Sequence, residues 1–188
     1  LVGDLLAPEA QIKGGLSVCS LPSQRASVGG KLSLIGMESA KVVLHGTKIV
    51  GMLDLRDAEI TGSVSMRPVH DFAFEADAVQ FPGAKVSKVE CRGVTIRGDL
   101  DFQNAEITDG IECLPEGKLS ADVHGHAIFI DCYTARLEID GNSFRKSVQL
   151  NLAKVGELKF ANALPRDGVP IDADGLEYQK IVLPDNAY

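Results

Sequence analysis

Tryptophan is absent, and three tyrosines and seven phenylalanines are all the aromatic residues in this 188-residue chain. A globular core built on large aromatics is thereby excluded, and narrow layers of Leu, Val, Ile and Ala must fill the interior. No apolar run approaches the roughly 18 residues of a membrane-crossing helix. The first residues do not form a signal peptide, and Leu1 is not an initiating Met, so Leu1 reads as a boundary or processing site. Basic runs stop at Arg145-Lys146 and the net charge is −7, which excludes the basic stripe that nucleic-acid binding needs. Cys19, Cys91, Cys113 and Cys132 include no CxxC pair, so zinc and redox motifs are excluded, and four are too few for a disulfide framework. They read as small apolar side chains in a reduced compartment. A cytoplasmic location is expected, with membrane association only through parts outside this sequence.

Proline is scarce but periodic. Pro22, Pro68, Pro115 and Pro165 are spaced by 46, 47 and 50 residues, and each follows a similar strand end, such as Val64-Ser-Met-Arg-Pro68 and Ile111-Glu-Cys-Leu-Pro115. Fixed spacing is the mark of a repeat architecture. A finer rhythm lies inside it. Leu53-x-Leu55-x-x-Ala58-x-Ile60 leads to Val64-x-Met66, and Leu100-x-Phe102-x-x-Ala105-x-Ile107 leads to Ile111-x-Cys113. The period-two alternation reads as strand, and no segment keeps a helical apolar spacing.

Strands that repeat about every 11 residues, with the chain turning the same way each time, stack as a solenoid with about 22 residues per coil. The expected fold is all-β, a right-handed parallel β-helix, the hand following from the crossover rule. Two alternating faces are expected: one near Leu16, Val42, Val64, Val89, Ile111, Leu137 and Leu158, the other near Leu5, Leu32, Leu53, Val79, Leu100, Ile128, Val148 and Ile181. Proline loops at 67–75, 114–120 and 161–170 interrupt every second coil and should emerge at one edge. Residues 1–188 read as a single solenoid domain. Neither end looks like a cap, so a fragment of a longer chain, end-to-end self-association, or both are expected.

The Leu-x-Leu-x-x-Ala-x-Ile-x-Gly rhythm, as in Gly51-Met-Leu-Asp-Leu-Arg-Asp-Ala-Glu-Ile-Thr-Gly62, together with Ile171-Asp-Ala-Asp-Gly-Leu176, resembles a bacterial family of pentapeptide-like right-handed β-helix repeats. Its members often carry the name "membrane-associated oxidoreductase". The resemblance runs over nearly the whole chain and implies the fold. This half-coil has eleven residues where the pentapeptide pattern has ten. The activity in the name is not carried over, because no Gly-x-Gly-x-x-Gly follows a strand and neither CxxC nor a haem-attachment pattern occurs.

The middle residue of each Leu-x-Leu points outward, which stacks Glu90, Glu112 and Glu138 in consecutive coils about 5 Å apart. Such carboxylates should repel one another, raise at least one pKa, and attract a cation or a basic partner. Similar spacing would also suit glycoside hydrolysis. Asp54 and Asp101 share an outward position two coils apart, separated by Gln80. His124-Gly-His126 with Asp122 and Asp131 offers a partial metal-ligand set without a fourth ligand, and His45 lies in another repeat. His70-Asp71 has no nucleophile placed beside it. Cys91 and Cys113 should stack as an interior pair. Phe72, Phe74 and Phe81 cluster near a proline loop, and exposed aromatics there would make a protein-binding patch. No catalytic residue, metal or cofactor is assigned. The expected role is a non-catalytic scaffold or protein-recognition module using stacked loops and an acidic sheet face. Glu90, Glu112, Glu138, Phe72 and Phe74 are its binding residues, and the partner is another protein or a flanking domain. The alternative is a carbohydrate-active enzyme, a polysaccharide lyase or hydrolase, using the stacked carboxylates.

Overall fold

The computed structural model describes residues 1–166 and 168–184. Three parallel sheets run along it. Face 1 holds eight strands: Gln11–Ser17, Glu38–Val43, Glu59–Met66, Lys85–Arg92, Glu106–Leu114, Tyr133–Ile139, Lys154–Phe160 and Glu177–Val182. Face 2 holds eight short ones: Leu5–Leu6, Leu32–Ser33, Met52–Asp54, Ala78–Gln80, Leu100–Asp101, Ala127–Ile128, Val148–Gln149 and Ile171–Asp172. Face 3 has five: Ser27–Val28, Lys48–Ile49, Phe74–Ala76, Val94–Ile96 and Asp122–Val123. The chain runs from face 2 to face 1 to face 3, and each circuit is one coil. About eight turns stack into a parallel β-solenoid.

Face 3 corrects the two-faced expectation. Its strands span only two or three residues, too few to show an alternation in sequence. Val28, Ile49, Ala76, Ile96 and Val123 nonetheless point inward from it and are buried. Ile181 is also corrected: it pairs with Leu158 on face 1, while Ile171 takes the place beside Val148 on face 2. The next strand after Phe160 on face 1 begins at Ile171 on face 2, so counting half-coils by an eleven-residue step slips between them.

Coil length alternates. The in-register column Leu16, Val42, Val64, Val89, Ile111, Leu137, Leu158, Ile181 advances by 26, 22, 25, 22, 26, 21 and 23 residues. The expected 22 residues therefore describe the short coils. Counted from face 2, where Leu5, Leu32, Leu53, Val79, Leu100 and Ala127 are in register and advance by 27, 21, 26, 21 and 27 residues, two features lengthen coils 1, 3 and 5. Face 1 carries one extra residue at its bend in each, between Ile12 and Leu16, Ile60 and Val64, and Ile107 and Ile111, and the pairing register shifts there. The corner from face 1 to face 3 is also expanded into a hairpin, bridged at Leu21–Gln24, Val69–Phe72 and Glu116–Leu119.

Inward positions form columns along the axis. Phe81, Phe102 and Phe129 stack with ring centroids 4.7 and 5.3 Å apart and planes within 9°. Stacked pairs of this kind contribute about 0.5–1.5 kcal/mol each beyond their burial. At the corner from face 2 to face 1, left-handed residues stack from Glu9 through Asp57, Asn104 and Leu152 to Gly175. Amides there donate to the next coil, as Asp57 does to Pro82 and Leu152 to Asp174. The ladder of backbone hydrogen bonds thus passes through this corner without a gap.

Candidate functional site

The three glutamates stack in register as expected: Glu90 pairs with Glu112, and Glu112 with Glu138, with Ser65 before them and Lys159 after. Their electrostatics differ from expectation. Lys88 sits between Glu90 and Glu112, with Nζ 3.0 and 2.8 Å from their carboxylates. Arg92 donates to Glu112 at 2.8 Å through Nε, and Glu138 is held by Arg136 and by Lys159 at 2.7 Å. Burial alone would raise the Glu90 and Glu112 carboxyls. Hydrogen bonds from Lys88 and Ser65 to the first, and from Lys88 and Arg92 to the second, outweigh it and hold both below the usual carboxylate range. The acidic face is therefore a neutralised zipper, with Glu112 and Glu138 only 8% and 7% exposed.

The cations were within reach of sequence reasoning. Lys88-x-Glu90-x-Arg92 and Arg136-x-Glu138 put outward-facing cations two residues from each carboxylate on the same strand face. His45 was not. Its Nε2 lies 2.9 Å from Ser65 Oγ, and the Ser65 hydroxyl in turn donates to Glu90 at 2.9 Å. Burial, and then the nearby Arg67 charge, keep His45 below its ordinary pKa.

The second structural feature is the row of hairpins. All three leave the corner between faces 1 and 3, and two arginines tie them together. Arg25, just past the first hairpin, donates to the Ala73 carbonyl at 2.6 Å, pairs with Glu75 at 2.8 Å and lies over the Phe72 ring. Arg67, at the base of the second hairpin, grips Glu116 of the third through two bonds of 2.9 and 2.6 Å. Such forked pairs fix orientation as well as contributing energy. Between the second and third hairpins lies an open cleft of about 450 Å³, with Pro68, His70 and Asp71 on one wall and Glu116 to Leu119 on the other. His70, Asp71 and Lys118 are exposed there.

The hairpins also interlock with the tight corners of intervening coils. Gly46 turns with φ +63°, and a Cβ on it would meet Val69 of the second hairpin at 2.5 Å. Gly93 turns with φ +53° between Pro68 and Leu119, each 3.2 Å from where a Cβ would sit. In coil 6 the Gly141 amide donates to Ala163 of the following loop. The second and third hairpins thus lean back over the tight corners at Gly46 and Gly93 that precede them.

Phe74 corrects the aromatic patch. It is 0% exposed, at the first position of a face 3 strand, and Phe81 is equally buried in the phenylalanine stack. The re-entry segment after the loop is itself a strand, which carries Phe74 inward. Phe72 alone stays at the hairpin, half-buried beneath Arg25. The remaining candidates have separate partners. His124 meets Asp122 at 3.2 Å, where Arg145 also binds, and His126 meets Ser147 at 2.7 Å. Among the described residues, no group of three or more His, Cys, Asp or Glu side chains is placed to hold a metal ion. Asp54 is fully buried between Lys31 and Arg56, at 2.6 and 2.8 Å, whereas burial and then Asp99 raise Asp101. Among the described residues, no helix is long and apolar enough to cross a membrane. Compared with family models, with curated proteins and with solved structures, the chain matches none.

Proposed function

We propose that this solenoid is a non-catalytic scaffold or recognition module, with the hairpin row between faces 1 and 3 as its binding surface. The observation that carries the reading is the engagement of all three stacked carboxylates by lysine or arginine. A general acid for glycoside hydrolysis needs a carboxyl held protonated near neutrality. Glu90 and Glu112 are held in the opposite direction, which weighs against the carbohydrate-active alternative. The glutamate column then serves the rigidity of the rod, and recognition falls to the hairpins, where exposed side chains sit on a braced frame. The partner is another protein or another part of the same chain. Kinship with the pentapeptide-like family belongs to this proposal and is supported by the Leu-x-Leu-x-x-Ala-x-Ile rhythm.

The test places a photo-crosslinking side chain at His70 or Lys118, and at Gln149 on face 2 as a distant control, in native extract. Capture of one common protein from positions 70 and 118, absent at 149, is the expected result. Equal capture at all three positions, or none, would remove the hairpin row from the proposal. Changing Glu90, Glu112 and Glu138 together to Gln should lower thermal stability and leave capture by the surviving folded protein intact.

A further inference from the structure

We infer that Cys91 and Cys113 form an oxidisable inter-coil dithiol, whose closure to a disulfide staples coils 4 and 5 beneath the hairpin row. The two residues are in-register neighbours on adjacent parallel strands of face 1. Parallel strands lie about 4.8 Å apart, within the roughly 4.4–6.8 Å Cα separation that a disulfide bridges. Both side chains are wholly buried. Met66 precedes them in the column and Ile139 follows, so no charged group faces the pair from within its own column.

The surroundings select among the fates open to two buried thiols. A metal bis-thiolate would leave net negative charge in an apolar column, which is costly without a compensating partner. A sulfinic or sulfonic acid would bury a charged group in the same place. A disulfide is neutral, needs no hydrogen-bond partner and adds no volume. The facing Cys113 side chain, and burial after it, push the Cys91 thiol well above its ordinary range, so attack is slow and awaits a small uncharged oxidant. With hydrogen peroxide the step balances. The Cys91 sulfur takes one oxygen as a sulfenic acid and releases one water. The Cys113 sulfur then displaces the hydroxyl, forms the S–S bond and releases a second water. Two thiols are oxidised by two electrons, and one peroxide is reduced.

The location gives the bond a consequence. Cys91 stands two residues before the tight Gly93 corner, and Cys113 two residues before Pro115 and the third hairpin. The link would close one full coil into a ring and clamp the corner on which that hairpin leans.

The experiment uses the whole chain with Cys19→Ser, which removes the exposed thiol. Folded protein is incubated with hydrogen peroxide, denatured, alkylated and mapped by mass spectrometry. The expected result is loss of two alkylatable thiols, a peptide linking positions 91 and 113, and reversal by dithiothreitol, with Cys132 still alkylated. The oxidised form should also unfold about 5 °C or more higher. Alkylation of both residues after exposure, or their conversion to sulfinic or sulfonic acids, would overturn the assignment. A link without a rise in the unfolding midpoint would overturn the staple. Cys91→Ala and Cys113→Ala should each abolish the link, and if either fails to fold, the thiol count on the parent protein still decides.

Discussion

Asp54 and Asp101 occupy equivalent outward positions on face 2, and their surroundings give them opposite effects. Burial would raise Asp54, but Arg56 and Lys31 outweigh it and hold its carboxyl low. Asp101 has only the Gln103 amide to set against burial and Asp99. Asp54→Asn should therefore destabilise by about 1–2 kcal/mol, because a charge-assisted pair of bonds becomes neutral. Asp101→Asn keeps an acceptor for the Gln103 amide and relieves the charge, a gain of about 0.5 kcal/mol once its partial exposure is allowed for. Thermal midpoints at neutral pH check both, and a shift of the two variants in one direction would refute the contrast. The sequence shows the shared position of these residues. It also shows part of the difference, Arg56 against Gln103 two residues on, but not Lys31, which lies a coil away from Asp54.

At the scale of elements, the interlock between hairpins and tight corners is the feature to test. Gly93 and Gly117 both have positive φ, but a Cβ at Gly93 meets Pro68 and Leu119 while at Gly117 it meets nothing within 4 Å. Gly117→Ala should cost only the backbone penalty of about 1 kcal/mol. Gly93→Ala should cost more, about 2 kcal/mol, as the neighbouring hairpins shift to make room. Equal losses in chemical denaturation would show that the corners do not support the hairpins. Much of this level was legible in sequence. The Leu-x-Leu frame correctly stacked the three glutamates and the cysteine pair, because a period of two leaves no freedom in which side chain faces in. The third face escaped because two-residue strands carry no period. Phe74 looked exposed because its strand resembles the end of a loop. The bridging roles of Arg25 and Arg67 escaped because each reaches its partner across 48 or 49 residues.

For the whole molecule, the zipper on face 1 makes stability depend on acidity in a defined direction. Glu90 and Glu112 are depressed in the folded state, so their contribution is complete above their unfolded pKa of about 4.3 and fades as pH falls through the lower folded values. Unfolding midpoints recorded from about pH 7 to about pH 3 should fall steeply at the acid end. The double variant Glu90→Gln, Glu112→Gln should start lower and fall less. Parallel curves would refute the zipper as a source of acid sensitivity.

Alternation of long and short coils also sets how such a rod can change in length. Loss of one short coil would bring two expanded corners together, loss of one long coil two tight ones, and either would break the alternation of the face 1 bends. Loss of two adjacent coils keeps the alternation of expanded and tight corners. The unit of growth, whether by gene duplication or by design, is therefore a doublet of roughly 47 residues, adding about 10 Å to the rod at each step.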